Sequence, residues 1–193
     1  MGAEQNSGYK ETYLRLCHGT ADESAEAILE QQSFIPSRRG WCGKGVYFYD
    51  IKSKAYWSAN RTCEERRRVS GKRCKPVVVY ADIIDIPRDD ILDLRDYGNL
   101  KDFAGFVNGF LENNPFSAEN VSGDELIELL REAMISFYAK EKNKRLVIGY
   151  FSQRYQPKYE DMREFSNSMH LVYGIETIFC AKDTSVITGI RIK

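Results

Sequence analysis

The spacing of apolar residues divides this chain into three parts: short strands with helices up to about residue 94, a helical stretch, and strands again toward the end. Tyr13 to Cys17 alternates over a short span, as a half-buried strand does. Ala25 to Gln31 reads as a helix with Asp22 or Ser24 in the capping position. Phe34-Ile35-Pro36 ends it in an extended segment, and Ser37 to Lys44 is a polar, glycine-containing loop. Val46 to Tyr49 predicts a strand. Lys52 to Asn60 predicts the start of a helix, with Ala55, Tyr56 and Ala59 on one side, and Arg61 to Lys75 a basic loop. Pro76 to Ile84 has the strongest strand character in the chain and is expected in a central position.

From Asn99 to Lys144 the period becomes helical. Phe103, Phe106, Val107 and Phe110 form one stripe; Leu126, Ile127, Leu130, Met134 and Phe137 form another, opened by a capping box from Ser122 to Glu125. Strands are expected again at Leu146 to Tyr150, Leu171 to Tyr173, Glu176 to Ala181 and Val186 to Ile192. Strands before and after a helical block predict an α+β fold with a split, mostly antiparallel core, and one domain over 1–193 with a helical insertion at approximately 99–145.

Charge narrows the partners little. The 28 basic and 28 acidic residues cancel, so only local clusters can attract a polyanion. One such cluster is Arg61, Arg66, Arg67, Arg68, Lys72, Arg73 and Lys75, relieved by Glu64 and Glu65. It is either a solvated segment or a phosphate-binding one, for a dinucleotide or a nucleic acid. The five cysteines form no CxxC pair, and His18 and His170 are the two histidines, so no metal centre is expected. Free thiols in a reducing cytoplasm are the expectation, with a Cys63–Cys74 disulfide as the alternative. The polar start and the lack of a long apolar run predict neither a secretory leader nor a membrane span.

Candidate chemistry gathers in the first third. Cys17-His18-Gly19-Thr20 closes an apolar strand, and Gly19 lets a ligand approach the backbone closely. Its N–H and C=O suit a carboxamide. Gly43-Lys44-Gly45 then feeds Val46-Tyr47-Phe48-Tyr49, where Tyr47 and Tyr49 share one strand face and can stack on a planar cationic ring. Phe48, on the other face, is expected in the core.

These runs, with Ser53-Lys54-Ala55 after them, resemble the first half of the catalytic domain of the poly(ADP-ribose) polymerases. The chain looks like a small, single-domain bacterial or phage-type member with the His-Tyr-Glu triad. The resemblance implies an ADP-ribosyltransferase fold, with split sheets around an NAD cleft, and NAD as co-substrate without a metal. It implies that His18 holds the adenosine ribose, that Gly19 holds the nicotinamide amide, with Thr20 and Gly45 beside them, and that Tyr47 lines the nicotinamide pocket. The triad glutamate opens a late strand in that family. Tyr173-Gly174-Ile175-Glu176 has that shape here, making Glu176 the candidate. The family's amide-binding serine and second stacking tyrosine fall, without a gap, on Ala55 and Ser58; Ser53, Tyr56, Trp57 or Ser58 would substitute after a small shift.

The activity so implied is transfer of ADP-ribose to a protein or nucleic acid with release of nicotinamide. Two alternatives stay open: an NAD glycohydrolase acting as a toxin or defence effector, and a non-catalytic module that binds ADP-ribose or a partner through the helical insert. Residues 99–144 fall outside the resemblance.

Overall fold

A computed structural model describes residues 8–114, 123–152 and 175–192. The expected strand at Leu171 to Tyr173 and the start of the capping box at Ser122 lie outside the described residues. Among the described residues the architecture is α+β: one seven-stranded, mostly antiparallel sheet with four helices. In chain order the elements are β1 (Lys10–Ala21), α1 (Asp22–Gln31), β2 (Val46–Tyr49), α2 (Lys52–Ser70), β3 (Pro76–Pro87), β4 (Ile91–Asp93), α3 (Tyr97–Asn113), α4 (Gly123–Glu141), β5 (Leu146–Ser152), β6 (Ile175–Ala181) and β7 (Ile187–Arg191). The strands lie in the order β4-β5-β6-β2-β1-β3-β7. Among the described strands only β4 and β5 run parallel, and α3 and α4 lie in the crossover that a parallel pair requires.

Two small sheets are expected; the described residues form one. Its two halves meet at a single register position, Cys17↔Tyr49 between β1 and β2. By contrast, β1 pairs with β3 from Lys10↔Pro87 to Ala21↔Pro76, and all four residues of β2 pair with β6. The expected central position of β3 is interior but next to the edge strand β7.

Alternation along the strands fills both faces. Val46, Phe48, Phe179 and Ala181 point into one core with Leu16, Val79, Ala81 and Ile83, closed by Ala25 and Ile28 of α1. Tyr47 and Cys180 face the other side. There Leu92 and Val147 meet Ile135, Tyr138 and Ala139 of α4, and Phe103 and Phe106 of α3 pack against them. Both phenylalanines meet Tyr138 edge-on, at 5.4 and 5.3 Å between centroids. The expected α4 stripe is therefore rotated: Met134 is buried, but Ile127 and Phe137 are exposed. Helix α2 lies over β1 and β3 through Ala55 against Cys17 and Val78.

The basic loop expected from Arg61 onward is largely helix, because α2 continues to Ser70. Arginine and glutamate favour helix without providing an apolar stripe, so hydrophobic spacing does not register them. Gly71, in the left-handed conformation, stops the helix, and its N–H donates to the Arg67 carbonyl at 3.0 Å. The chain then doubles back, placing Cys74 beside Cys63 with Cα atoms 5.5 Å apart, and the two are disulfide-bonded. The free-thiol expectation is corrected for this pair; Cys17, Cys42 and Cys180 are free and buried.

Candidate functional site

The first two candidates lie inside β1 rather than after it. His18 is held by its ring: it meets Phe34 and Phe48 edge-on at 5.0 and 5.8 Å, and Nδ1 lies 2.8 Å from the Tyr47 carbonyl oxygen. Burial pushes its pKa below the ordinary imidazole value, with the Tyr47 hydrogen bond opposing in part. The ring is therefore neutral at physiological pH. Nδ1–H donates to Tyr47, leaving Nε2 as an acceptor.

Gly19 is fixed by packing. A Cβ there would collide with the Ala55 carbonyl oxygen, and would sit 2.7 Å from its carbon and 2.9 Å from the Ala59 nitrogen. Two buried alanines in α2 and a glycine in β1 let helix and strand backbones touch. Ala55 is fully buried against Cys17 and Val78, so the position at which the resemblance leads one to expect a serine carries no hydroxyl. The hydroxyls available instead are those of Ser58 and Thr62, one and two turns further along α2. Thr62 Oγ1 donates to the Ser58 carbonyl at 3.1 Å.

The Tyr47 ring is clamped by the preceding loop. Its hydroxyl donates to the Gly43 carbonyl and accepts from the Cys42 N–H at 3.1 Å. A side chain at Gly40 would strike the ring at 2.6 Å. Burial raises the phenol's pKa well above its ordinary value, so it stays protonated. The loop is itself pinned to α4. A Cβ at Gly43 would run into Ser136, Arg39 pairs with Glu132 at 3.6 Å, and the Arg131 guanidinium lies over Trp41 at 4.7 Å and over Phe151 at 5.4 Å.

These pieces enclose a cavity of about 320 Å³ where β1 and β2 diverge. His18, Gly19, Gly45, Tyr47 and Ser58 line it, together with Tyr49, Arg39, Trp41, Thr62 and Ile178. Thr20 is buried in β1 and does not line it. Nor do Ser53, Tyr56 and Trp57: Ser53 is exposed, Tyr56 and Trp57 are half exposed, and Arg61 stacks over Trp57 at 5.1 Å. Tyr49 lines it from the strand face that it shares with Tyr47, as alternation predicts, and Thr62 carries a sequence signal in its helical spacing from Ser58. Arg39 and Trp41 carry none, since their positions depend on α4 some ninety residues later.

Glu176 sits near the start of β6. It pairs with Phe151 of β5 and lies on the same sheet face as Ile178, which lines the cavity. Its side chain is 13% exposed, Lys54 Nζ is 4.0 Å from Oε1, and that oxygen has no hydrogen-bond partner among the described residues. Its charge helps raise the Tyr49 pKa, after burial as the main cause, so carboxylate and cavity wall are electrostatic neighbours. A shielded carboxylate with a free oxygen beside a lysine suits stabilisation of a developing cation or receipt of a proton.

No family model matches the chain, and no curated protein or solved structure matches it. Among the described residues no group of three or more His, Cys, Asp or Glu could hold a metal ion, and no helix is long and apolar enough to cross a membrane.

Proposed function

We propose that this protein cleaves NAD at the nicotinamide–ribose bond and transfers ADP-ribose to a macromolecular acceptor, within an ADP-ribosyltransferase fold. The observation that carries the reading is the gathering of His18 and Gly19 on β1 with Gly45 and Tyr47 at β2 around one cavity. Glu176 does not line that cavity; it lies two residues before the lining residue Ile178 on the neighbouring strand β6. A volume of about 320 Å³ suits the nicotinamide end of NAD.

In this reading the neutral His18 accepts a hydrogen bond from a ribose hydroxyl through Nε2. The Tyr47 and Tyr49 rings offer π faces to the cationic pyridinium. Ser58 and Thr62 supply the hydroxyls for the carboxamide. Glu176 stabilises the oxocarbenium-like charge at C1′ as nicotinamide leaves with the bonding pair, and takes the acceptor's proton as the new bond forms. Lys54 Nζ, 4.0 Å from Oε1, is the cation that faces this carboxylate.

Ala55 favours a second reading, a module that binds ADP-ribose without cleaving it, because the residue packed on Gly19 offers no hydroxyl to the amide. Incubation with NAD labelled in the nicotinamide ring, alone and with cell extract, separates the two. Free labelled nicotinamide is expected. Binding of NAD without release, in both conditions, supports the module instead.

A further inference from the structure

The continuation of α2 past Asn60 gives the basic run a direction. At 100° per residue, Lys54, Trp57, Arg61 and Arg68 fall within about 60° of arc on one face of the helix. That stripe is about 21 Å long at 1.5 Å per residue. One end is Lys54, 4.0 Å from Glu176. In the middle Trp57 is 49% exposed, with the Arg61 guanidinium 5.1 Å above its ring. Past the other end, exposed Lys72, Arg73 and Lys75 follow Gly71, tied to the helix by Cys63–Cys74. Arg66 is used by the fold, bonding Ser24 at 2.8 Å and pairing with Glu23. Arg61, Arg68, Lys72, Arg73 and Lys75 have no carboxylate within 4.0 Å among the described residues. Glu64 and Glu65 stand three or four positions from Arg61 and Arg68 on the same helix without pairing within 4.0 Å, and five cations against these two acids leave a net basic surface on a chain with no net charge.

We infer that this stripe binds single-stranded nucleic acid and presents it to Glu176, making nucleic acid the acceptor class of the activity proposed above, on which the acceptor role rests. The phosphates meet Arg61, Arg68, Lys72 and Arg73, and a base stacks on Trp57. Stacking selects the single strand, because a duplex hides its base faces. Transfer replaces the C1′–nicotinamide bond by a bond from C1′ to an oxygen or nitrogen of the strand. Nicotinamide leaves neutral with the bonding pair, and the acceptor's proton passes to Glu176 and then to solvent.

Fluorescence anisotropy of labelled 12-nucleotide RNA and DNA single strands with the full chain, without NAD, tests the docking. Four phosphate contacts predict that binding weakens about fiftyfold from 50 to 200 mM salt. The double variant Arg68→Glu/Arg73→Glu weakens it further, and Trp57→Ala costs about tenfold or more while Trp57→Phe keeps most of it. No binding, binding insensitive to these exposed substitutions, equal binding of a duplex, or binding only to anionic vesicles overturns the inference. With NAD labelled in the adenine ring, label is expected on the strand. Nicotinamide release without label on the strand overturns the acceptor role alone. Strand binding with no nicotinamide release under any condition contradicts the underlying activity instead.

Discussion

His18 Nδ1 lies 2.8 Å from the carbonyl oxygen of Tyr47, bridging β1 and β2 beside the single position at which the two strands pair. The bond links two residues 29 apart in sequence and orients the imidazole for whatever enters the cavity. It also fixes the tautomer, so Nε2 is the free acceptor.

That burial has a pH consequence. The folded-state pKa of His18 is lowered, so the unfolded chain binds its proton more tightly. Its contribution to stability is complete above the ordinary value near 6.5 and is lost as pH falls through the lowered folded value. The thermal midpoint of the wild type should drop below pH 6.5, and His18→Gln should show a flatter profile there. Nicotinamide release should fall over the same acid range as Nε2 becomes protonated.

Gly19→Ala should destabilise the fold by about 1–3 kcal/mol, because the new methyl group meets the Ala55 peptide rather than a flexible side chain. Thermal or denaturant unfolding measures it. An unchanged midpoint would show that α2 can move off β1.

Tyr47→Phe keeps the aromatic face and removes a hydroxyl that serves the Cys42 N–H and the Gly43 carbonyl. Loss of those bonds should cost about 1–3 kcal/mol of stability. The loop carrying Arg39 and Trp41 should loosen, raising KM for NAD more than it lowers kcat. The opposite split would assign the hydroxyl to the chemistry itself.

Thiol titration of unfolded protein should count three cysteines without reductant and five after reduction, with Cys63 and Cys74 appearing together. Reduction should lower stability by about 2–4 kcal/mol, the scale for a disulfide closing a short loop.

Much of this arrangement is legible along the chain. The strand Val46–Tyr49 lies where alternation puts it, and His18, Gly19, Gly45, Tyr47 and Ser58 meet at one cavity. Hydrophobic spacing stops at Asn60 because the rest of α2 is polar, yet Gly71 marks its true end. The buried face of α4 is not legible, because two neighbouring faces of that helix are apolar and only packing on Leu92, Val147 and Cys180 selects Ile135 and Tyr138. Arg39 and Trp41 had no local signature, since their positions are set by Glu132 and Arg131.

Nicotinamide release by the wild type and by Glu176→Gln, with NAD affinity measured alongside by calorimetry, tests whether Glu176 drives cleavage of NAD. The amide keeps the shape of the carboxylate and removes its charge, so release should fall at least about a hundredfold while NAD still binds. Release at an undiminished rate in Glu176→Gln would contradict the account.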